Sequence, residues 1–183
     1  MIRSYKTEGI ILKRRNLGDS DKIITIFTKN NGKIQIKALG VRKITSRRCS
    51  QIELLNYSIF TLYRGSVSFM PILTEAKSLT GFFHLKSDLK KVGFAYYLCE
   101  LIDSLCPENQ ENPRVFALLK DALCDLSRSF DNNSIINNFE KMLLDMLGFI
   151  SENNKQKESR YLLIEQILER KLVTRRFLPL FTS

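Results

Sequence analysis

Hydrophobic periodicity changes character near Thr80, and that change constrains the fold of this 183-residue chain more than any other feature. Before it, apolar residues alternate or run in short β-branched blocks; after it, they recur at helical spacing. Residues 9–15 form a β-branched run that ends in three basic residues. Residues 22–28 are rich in strand formers and close at Asn30-Asn31-Gly32, a hairpin turn. Residues 33–38 then alternate strictly, with Ile34, Ile36 and Ala38 on one side and Lys33, Gln35 and Lys37 on the other. Residues 52–63 are apolar on both faces, as in a buried or strongly coiled strand. Residues 69–76 give a last strand, with Pro71 near its start where a ladder donor is dispensable. Five short strands joined by basic loops predict a small closed barrel over residues 1–80.

Helical signals fill residues 81–183. Ser87 is the expected cap of a helix that runs to about Leu105, with Asp88 in its first turn. Asn112-Pro113 opens a second helix to about Leu126. Ser134 opens a third, which Gly148 stops. Residues 151–160 read as a polar linker before a last helix over 159–172. The predicted class is therefore α+β, a five-stranded β-barrel followed by an all-α domain.

Charge divides at the same place. Residues 1–80 hold 15 Lys/Arg against 5 Asp/Glu, and residues 81–183 hold 14 of each, so the whole formal excess of +10 belongs to the predicted barrel. Such a module is self-repulsive without a polyanionic partner. The cations are Lys13, Arg14, Arg15, Lys22, Lys33, Lys37, Arg42, Lys43, Arg47, Arg48 and Arg64, expected on one strand face and its bordering loops. Phosphates need cations spaced along a groove, and unpaired bases need aromatic platforms. Phe27, Tyr57, Phe60, Tyr63 and Phe69 lie among the charges, but aromatics of a small barrel are first of all core, and that reading is preferred here.

Little else in the chain suggests chemistry. One histidine, His84, leaves no Ser-His-Asp triad or histidine metal site, and a packed histidine is expected there. Cys49, Cys99, Cys106 and Cys124 form no Cys-x-x-Cys pair, so no structural metal is expected, and all but Cys49 read as small core residues. Asp19 and Asp21 flank Ser20 in a turn whose side chains are expected to bond their own backbone. No glycine pattern cradles a nucleotide, so neither an enzyme nor a bound cofactor is expected. The opening residues resemble no secretory signal and no apolar run spans a membrane, which points to a cytoplasmic, reduced setting.

Residues 9–28 and 32–43, with Leu62-Tyr63-Arg64-Gly65, resemble the opening of the bacterial RecO family of recombination mediators. Asp88-Leu89 through Leu105, followed by Pro107-Glu108, resembles that family's first long helix. Phe139-Glu140 through Leu147-Gly148-Phe149 resembles a later one, and Arg175-Arg176-Phe177-Leu178 its ending. The resemblance implies an oligonucleotide/oligosaccharide-binding (OB) barrel that contacts single- and double-stranded DNA. It also implies a DNA repair role, annealing strands coated by single-strand binding protein and assisting RecA loading with RecR, nucleoid-associated when active. Many members carry paired Cys-x-x-Cys motifs after the Leu-Gly helix; residues 149–160 have none, so the chain reads as a short member without the zinc module. An apolar groove at Phe139 and Leu143 beside Lys141 is the expected receptor for the acidic tail of the coating protein, although Asn137-Asn138 stand where the family often has an Arg pair. Two other readings share the same residues: an RNA-binding barrel, and a helical adaptor without a direct DNA role.

Overall fold

The computed structural model describes residues 4–43, 49–65, 70–129, 131–149 and 160–174. Five strands, β1 (Ser4–Leu17), β2 (Asp21–Thr28), β3 (Gly32–Ala38), β4 (Tyr57–Tyr63) and β5 (Ile72–Thr80), come first. Helices α1 (Phe83–Lys86), α2 (Leu89–Leu105), α3 (Pro113–Arg128), α4 (Asn132–Met146) and α5 (Arg160–Leu168) follow. They form two compact units. One contains the residues up to Phe82 together with Cys106–Phe116; the other contains Phe83–Leu105 and the chain from Ala117 onward.

In the first unit the strand order β1-β2-β3-β5-β4 closes into a barrel. The long β1 makes this possible because it pairs with two neighbours. Its first half, Ser4 to Ile10, runs antiparallel to β4, and its second half, from Gly9 to Leu17, antiparallel to β2. Between Ile11 and Lys13 the register shifts, the kind of bulge that bends a strand around a barrel corner. A short parallel pairing of β3 with β5, Lys37 opposite Ile72, completes the ring. Ile11, Ile26 and Ile34 face one another in register, as do Ile24 and Ile36. With Val41, Ile52, Phe60, Leu62 and Leu73 they fill the interior. Each such fully buried side chain stabilises the fold by about 1.5–3 kcal/mol.

Two strand boundaries differ from expectation. Residues 52–56 are not part of β4: Ser50–Ile52 form a 3-10 turn and Leu55 adopts a φ of 68°. The Asn56 side chain holds this turn by donating to the carbonyls of Ser50 and Gln51. β5 begins at Ile72 rather than 69 and extends to Thr80, because its polar second half pairs backbone to backbone with β4, Ser78 opposite Ser58 and Lys77 opposite Ile59. Pro71 lies just before the strand, its carbonyl accepting from the Lys37 amide at 2.8 Å.

In the second unit the buried residues Phe94, Ala95, Tyr97, Leu98, Leu101 and Ile102 of α2 and Phe139, Leu143 and Leu144 of α4 form the centre of the core. Helix starts fall where carboxylates, not serines, can reach amides. Asp88, rather than Ser87, caps α2 by accepting from the Lys90 and Lys91 amides, while the Ser87 hydroxyl donates to the His84 carbonyl. Asp131 caps α4 by accepting from the Ser134 amide at 3.0 Å, so Ser134 lies inside the first turn. Asn112 caps α3 as expected, accepting from the Val115 amide at 3.1 Å. Gly148, at a φ of 78°, ends the turn after α4 as expected, with Phe149 donating to the Leu144 carbonyl. His84 is exposed rather than packed, since the single turn of α1 turns only Leu85 inward. Of the predicted linker over 151–160, residues 151–159 lie outside the described residues, as does the ending at 175–178, while Arg160 begins α5.

Candidate nucleic-acid interface

Residues opposed across antiparallel strands project to the same side of the sheet, so the register defines what the outer face of β1-β2-β3 presents. Three rows cross it: Ile10, Phe27 and Lys33; Lys13, Thr25 and Gln35; Arg15, Ile23 and Lys37. In the third row Ile23 is buried between two basic residues whose aliphatic stems can cover it while their heads reach water. Lys13 and Arg15 are exposed; Lys37 is half-buried, its ammonium 3.8 Å from the Asp21 carboxylate.

The turn after β3 adds two more exposed cations, Arg42 and Lys43. It is stapled to the β1–β2 turn. The Arg42 amide donates to the Ser20 carbonyl at 3.0 Å, and its guanidinium to the Gly18 carbonyl at 2.7 Å. The Gly40 amide donates to the Asp21 carboxylate at 2.8 Å, so Asp21 ties two turns together instead of bonding its own turn, and Asp19 is exposed. Lys13, Arg15, Lys37, Arg42 and Lys43 thus border one surface, whereas Lys22 lies opposite Asn16 and Ala38 in a row of the other side.

The remaining predicted cations do not join it. Lys33 is only 8% exposed, which corrects its placement on an open polar face. Its row is covered by the segment Cys106–Phe116: the Asn109 amide donates to the Lys33 carbonyl at 2.9 Å, and the Phe116 and Phe27 rings lie 6.2 Å apart. Burial pushes the Cys106 thiol up to about 11, with the Lys33 charge working the other way. Arg14 is spent on the Ile52 carbonyl at 3.2 Å and the Glu53 carboxylate at 2.9 Å. Arg64 follows β4, at the Ser4 end of β1. Arg47, Arg48 and Phe69 lie outside the described residues.

Of the aromatics, Phe27 and Phe60 are fully buried core, while Tyr57 and Tyr63 are half-buried; the Tyr57 hydroxyl donates to Glu8. On α4, Phe139 and Leu143 are 1% and 0% exposed, which corrects the expectation of an apolar groove there. Their four-residue spacing places both toward the core, and Lys141, two residues from each, is exposed away from them. Burial pushes the Cys99 thiol up to about 12, helped by Asp103. Among the described residues no three His, Cys, Asp or Glu side chains converge as metal ligands, and no helix is long and apolar enough to cross a membrane.

The sequence reading missed Glu108 and Glu111, carried onto the barrel by the segment between α2 and α3. Glu108 meets β3 directly, accepting from the Gln35 side-chain amide at 2.8 Å. Pro107 and Pro113 mark where helices stop and start, but no local signal says where the residues between them dock.

Comparison with known proteins completes the description. The family model for the N-terminal domain of recombination protein O matches residues 1–82, and that for its C-terminal domain matches residues 86–155. The chain is 36% identical over 147 residues to DNA repair protein RecO of Roseiflexus sp. (strain RS-1), covering 80% of this chain and 51% of that protein. It is 35% identical over 144 residues to the RecO of Alkaliphilus metalliredigens, covering 78% of this chain and 58% of the relative. For the RecO of Pelotomaculum thermopropionicum the figures are 32% over 148 residues, 81% and 57%. The chain therefore spans a little over half the length of these curated relatives.

Proposed function

The chain belongs to the RecO family, and from that premise we propose that it is a non-catalytic mediator of DNA repair and recombination whose barrel is an OB fold. The strand order and the closing β3–β5 pair support the OB reading. In this reading the outer face of β1-β2-β3 and its bordering turns take the backbone of single- or double-stranded DNA. The carrying observation is the cluster of exposed Lys13, Arg15, Arg42 and Lys43 with half-buried Lys37, whose ammonium lies 3.8 Å from the Asp21 carboxylate.

Such a surface anneals strands by screening the repulsion between two polyanions while leaving bases free to test pairing. Base pairing supplies the energy, so no nucleotide hydrolysis enters. The partners that follow from family membership are single-strand binding protein on the coated strand, RecR, and RecA as the protein finally loaded, all in the cytoplasm of a bacterium. Recognition of the coating protein's tail does not use Phe139 or Leu143, which the core occupies.

The test is annealing of complementary strands coated by single-strand binding protein, without ATP, followed by fluorescence. Acceleration by the protein is expected, with loss of the effect when Lys13, Arg15, Arg42 and Lys43 are replaced by Glu. No acceleration by the wild-type protein refutes the mediator reading.

A further inference from the structure

Beside the basic surface the first unit holds a cleft of about 650 Å³, which lies within the usual span of single small-ligand sites, about 300–1,000 Å³. It is bounded by the start of β1, by Asn30 and Asn31 of the β2–β3 turn, by β3, by the residues that flank the β4–β5 connection and by the 108–111 segment. Tyr5, Ile34 and Pro71 supply apolar wall, and Arg64, Glu108 and Glu111 supply charge. Gln35 also lines it, and Gln35 is two residues along β3 from Lys37. A strand that follows β3 from the cationic surface therefore arrives at this cleft.

Resting on the DNA reading above, we propose that the cleft takes one unstacked guanine of the bound strand, recognised by Glu111. The wall chemistry selects a planar, uncharged group with polar edges. Two carboxylates beside one guanidinium give a formal charge of −1, which disfavours a phosphate inside while Arg64 can meet the phosphate at the rim. Of the two carboxylates, Glu108 already accepts from the Gln35 side-chain amide. Glu111 is exposed and carries no hydrogen bond or ion pair among the described residues.

A carboxylate is acceptor-only and offers two oxygens side by side. On the Watson–Crick edge of an unpaired base, only guanine presents two adjacent donors, its ring N1–H and its exocyclic amino group. Adenine and cytosine present one amino group beside an acceptor, and thymine one N–H between two acceptors. Single-stranded recognition by aromatic contact and Watson–Crick edge bonding is the general mode for splayed bases. A lysine side chain from a protein would satisfy Glu111 but leave Arg64 and the apolar wall unmatched.

The experiment is fluorescence anisotropy of the full chain with oligo-dT 12-mers carrying one central dG, dA, dC or dT. The dG oligomer binds about tenfold tighter than the other three, the size of a good bidentate base contact. Glu111→Gln replaces an acceptor by a donor at an exposed position, so it removes most of that gain without weakening the all-dT oligomer. Equal affinity for all four oligomers, with oligo-dT binding intact, overturns the guanine site and leaves the DNA reading standing. A dG preference that survives Glu111→Gln overturns the assignment to this carboxylate. Failure to bind any oligomer overturns both.

Discussion

Replacing the exposed cations of the barrel reads out the geometry of the interface in a single number. The structure leaves six side chains on the proposed path: Lys13, Arg15, Lys37, Arg42 and Lys43, with Arg64 at the cleft. A single strand releases counterions in proportion to the phosphates neutralised, so log K against log[salt] has a slope of about −0.7 per contact. Four contacts by Lys13, Arg15, Arg42 and Lys43 give roughly −3, and all six give roughly −4. Between 50 and 200 mM salt the affinity for oligo-dT then falls roughly 50- to 300-fold. Substituting Lys13, Arg15, Arg42 and Lys43 by Ala leaves at most Lys37 and Arg64, with a slope no steeper than about −1.4. Lys77 is the control, an exposed cation in the part of β5 that pairs with β4, and Lys77→Ala leaves the slope unchanged. The assay is anisotropy across the salt range, with circular dichroism to show that each variant folds. A fourfold variant that keeps the wild-type slope refutes the placement of the site. A Lys77→Ala slope reduced as much as that of Lys13→Ala shows a diffuse surface instead of a path.

Three further substitutions test the packing that shapes this surface. Gly32 sits at a φ of 64°, and a Cβ there would lie 1.9 Å from the Gln110 carbonyl oxygen; Gly32→Ala therefore loses at least about 1 kcal/mol, read as a Tm roughly 2–4 °C lower. Tyr97→Phe deprives the buried Glu140 carboxylate of a 2.6 Å hydrogen bond and costs about 1–3 kcal/mol, measured by the urea midpoint. At Glu100 burial raises the pKa, but hydrogen bonds from Thr174, Val173 and Arg170 outweigh it and hold the carboxyl below its usual range. Its folded value is thus below its unfolded one, so the stability it contributes is present at neutral pH and is lost as pH falls through the folded value. Glu100→Gln accordingly narrows its Tm deficit to wild type as pH is lowered from 7 toward 3, and a deficit independent of pH contradicts the assignment.

Much of the barrel was legible because its information is local. The strict alternation of residues 33–38 and the Asn-Asn-Gly turn specify β3 and its hairpin without reference to the rest of the chain. The same holds for Asn112-Pro113 and Gly148, whose roles at helix ends depend on their own backbone. The errors arose where a tertiary partner outweighs local preference. Residues 77–80 are too polar to read as strand, yet β4 recruits them through backbone bonds. Residues 52–56 are apolar enough to read as strand, yet Asn56 folds them into a turn. At the caps the sequence points to Ser87 and Ser134, but Asp88 accepts from the Lys90 and Lys91 amides and Asp131 from the Ser134 amide.

The site was legible as charge and illegible as shape. Counting cations locates a cationic surface in the first 80 residues, but counting cannot tell Lys33 from Lys37, four positions apart on the same side of β3. What separates them is Cys106–Phe116, a segment some 70 residues further along the chain. By laying Phe116 over Phe27 and Asn109 over the Lys33 backbone, it buries one row of the outer face. By ending that row in Glu108 and Glu111, it sets carboxylates beside a cationic path, where they oppose phosphate and leave room for a base edge. The helical half is neutral in sum, yet the two carboxylates that define one border of the interface come from its numbering. A strand bound to this barrel would therefore meet cations in the order the first 80 residues prescribe, and stop, or turn a base inward, where the later segment crosses β3.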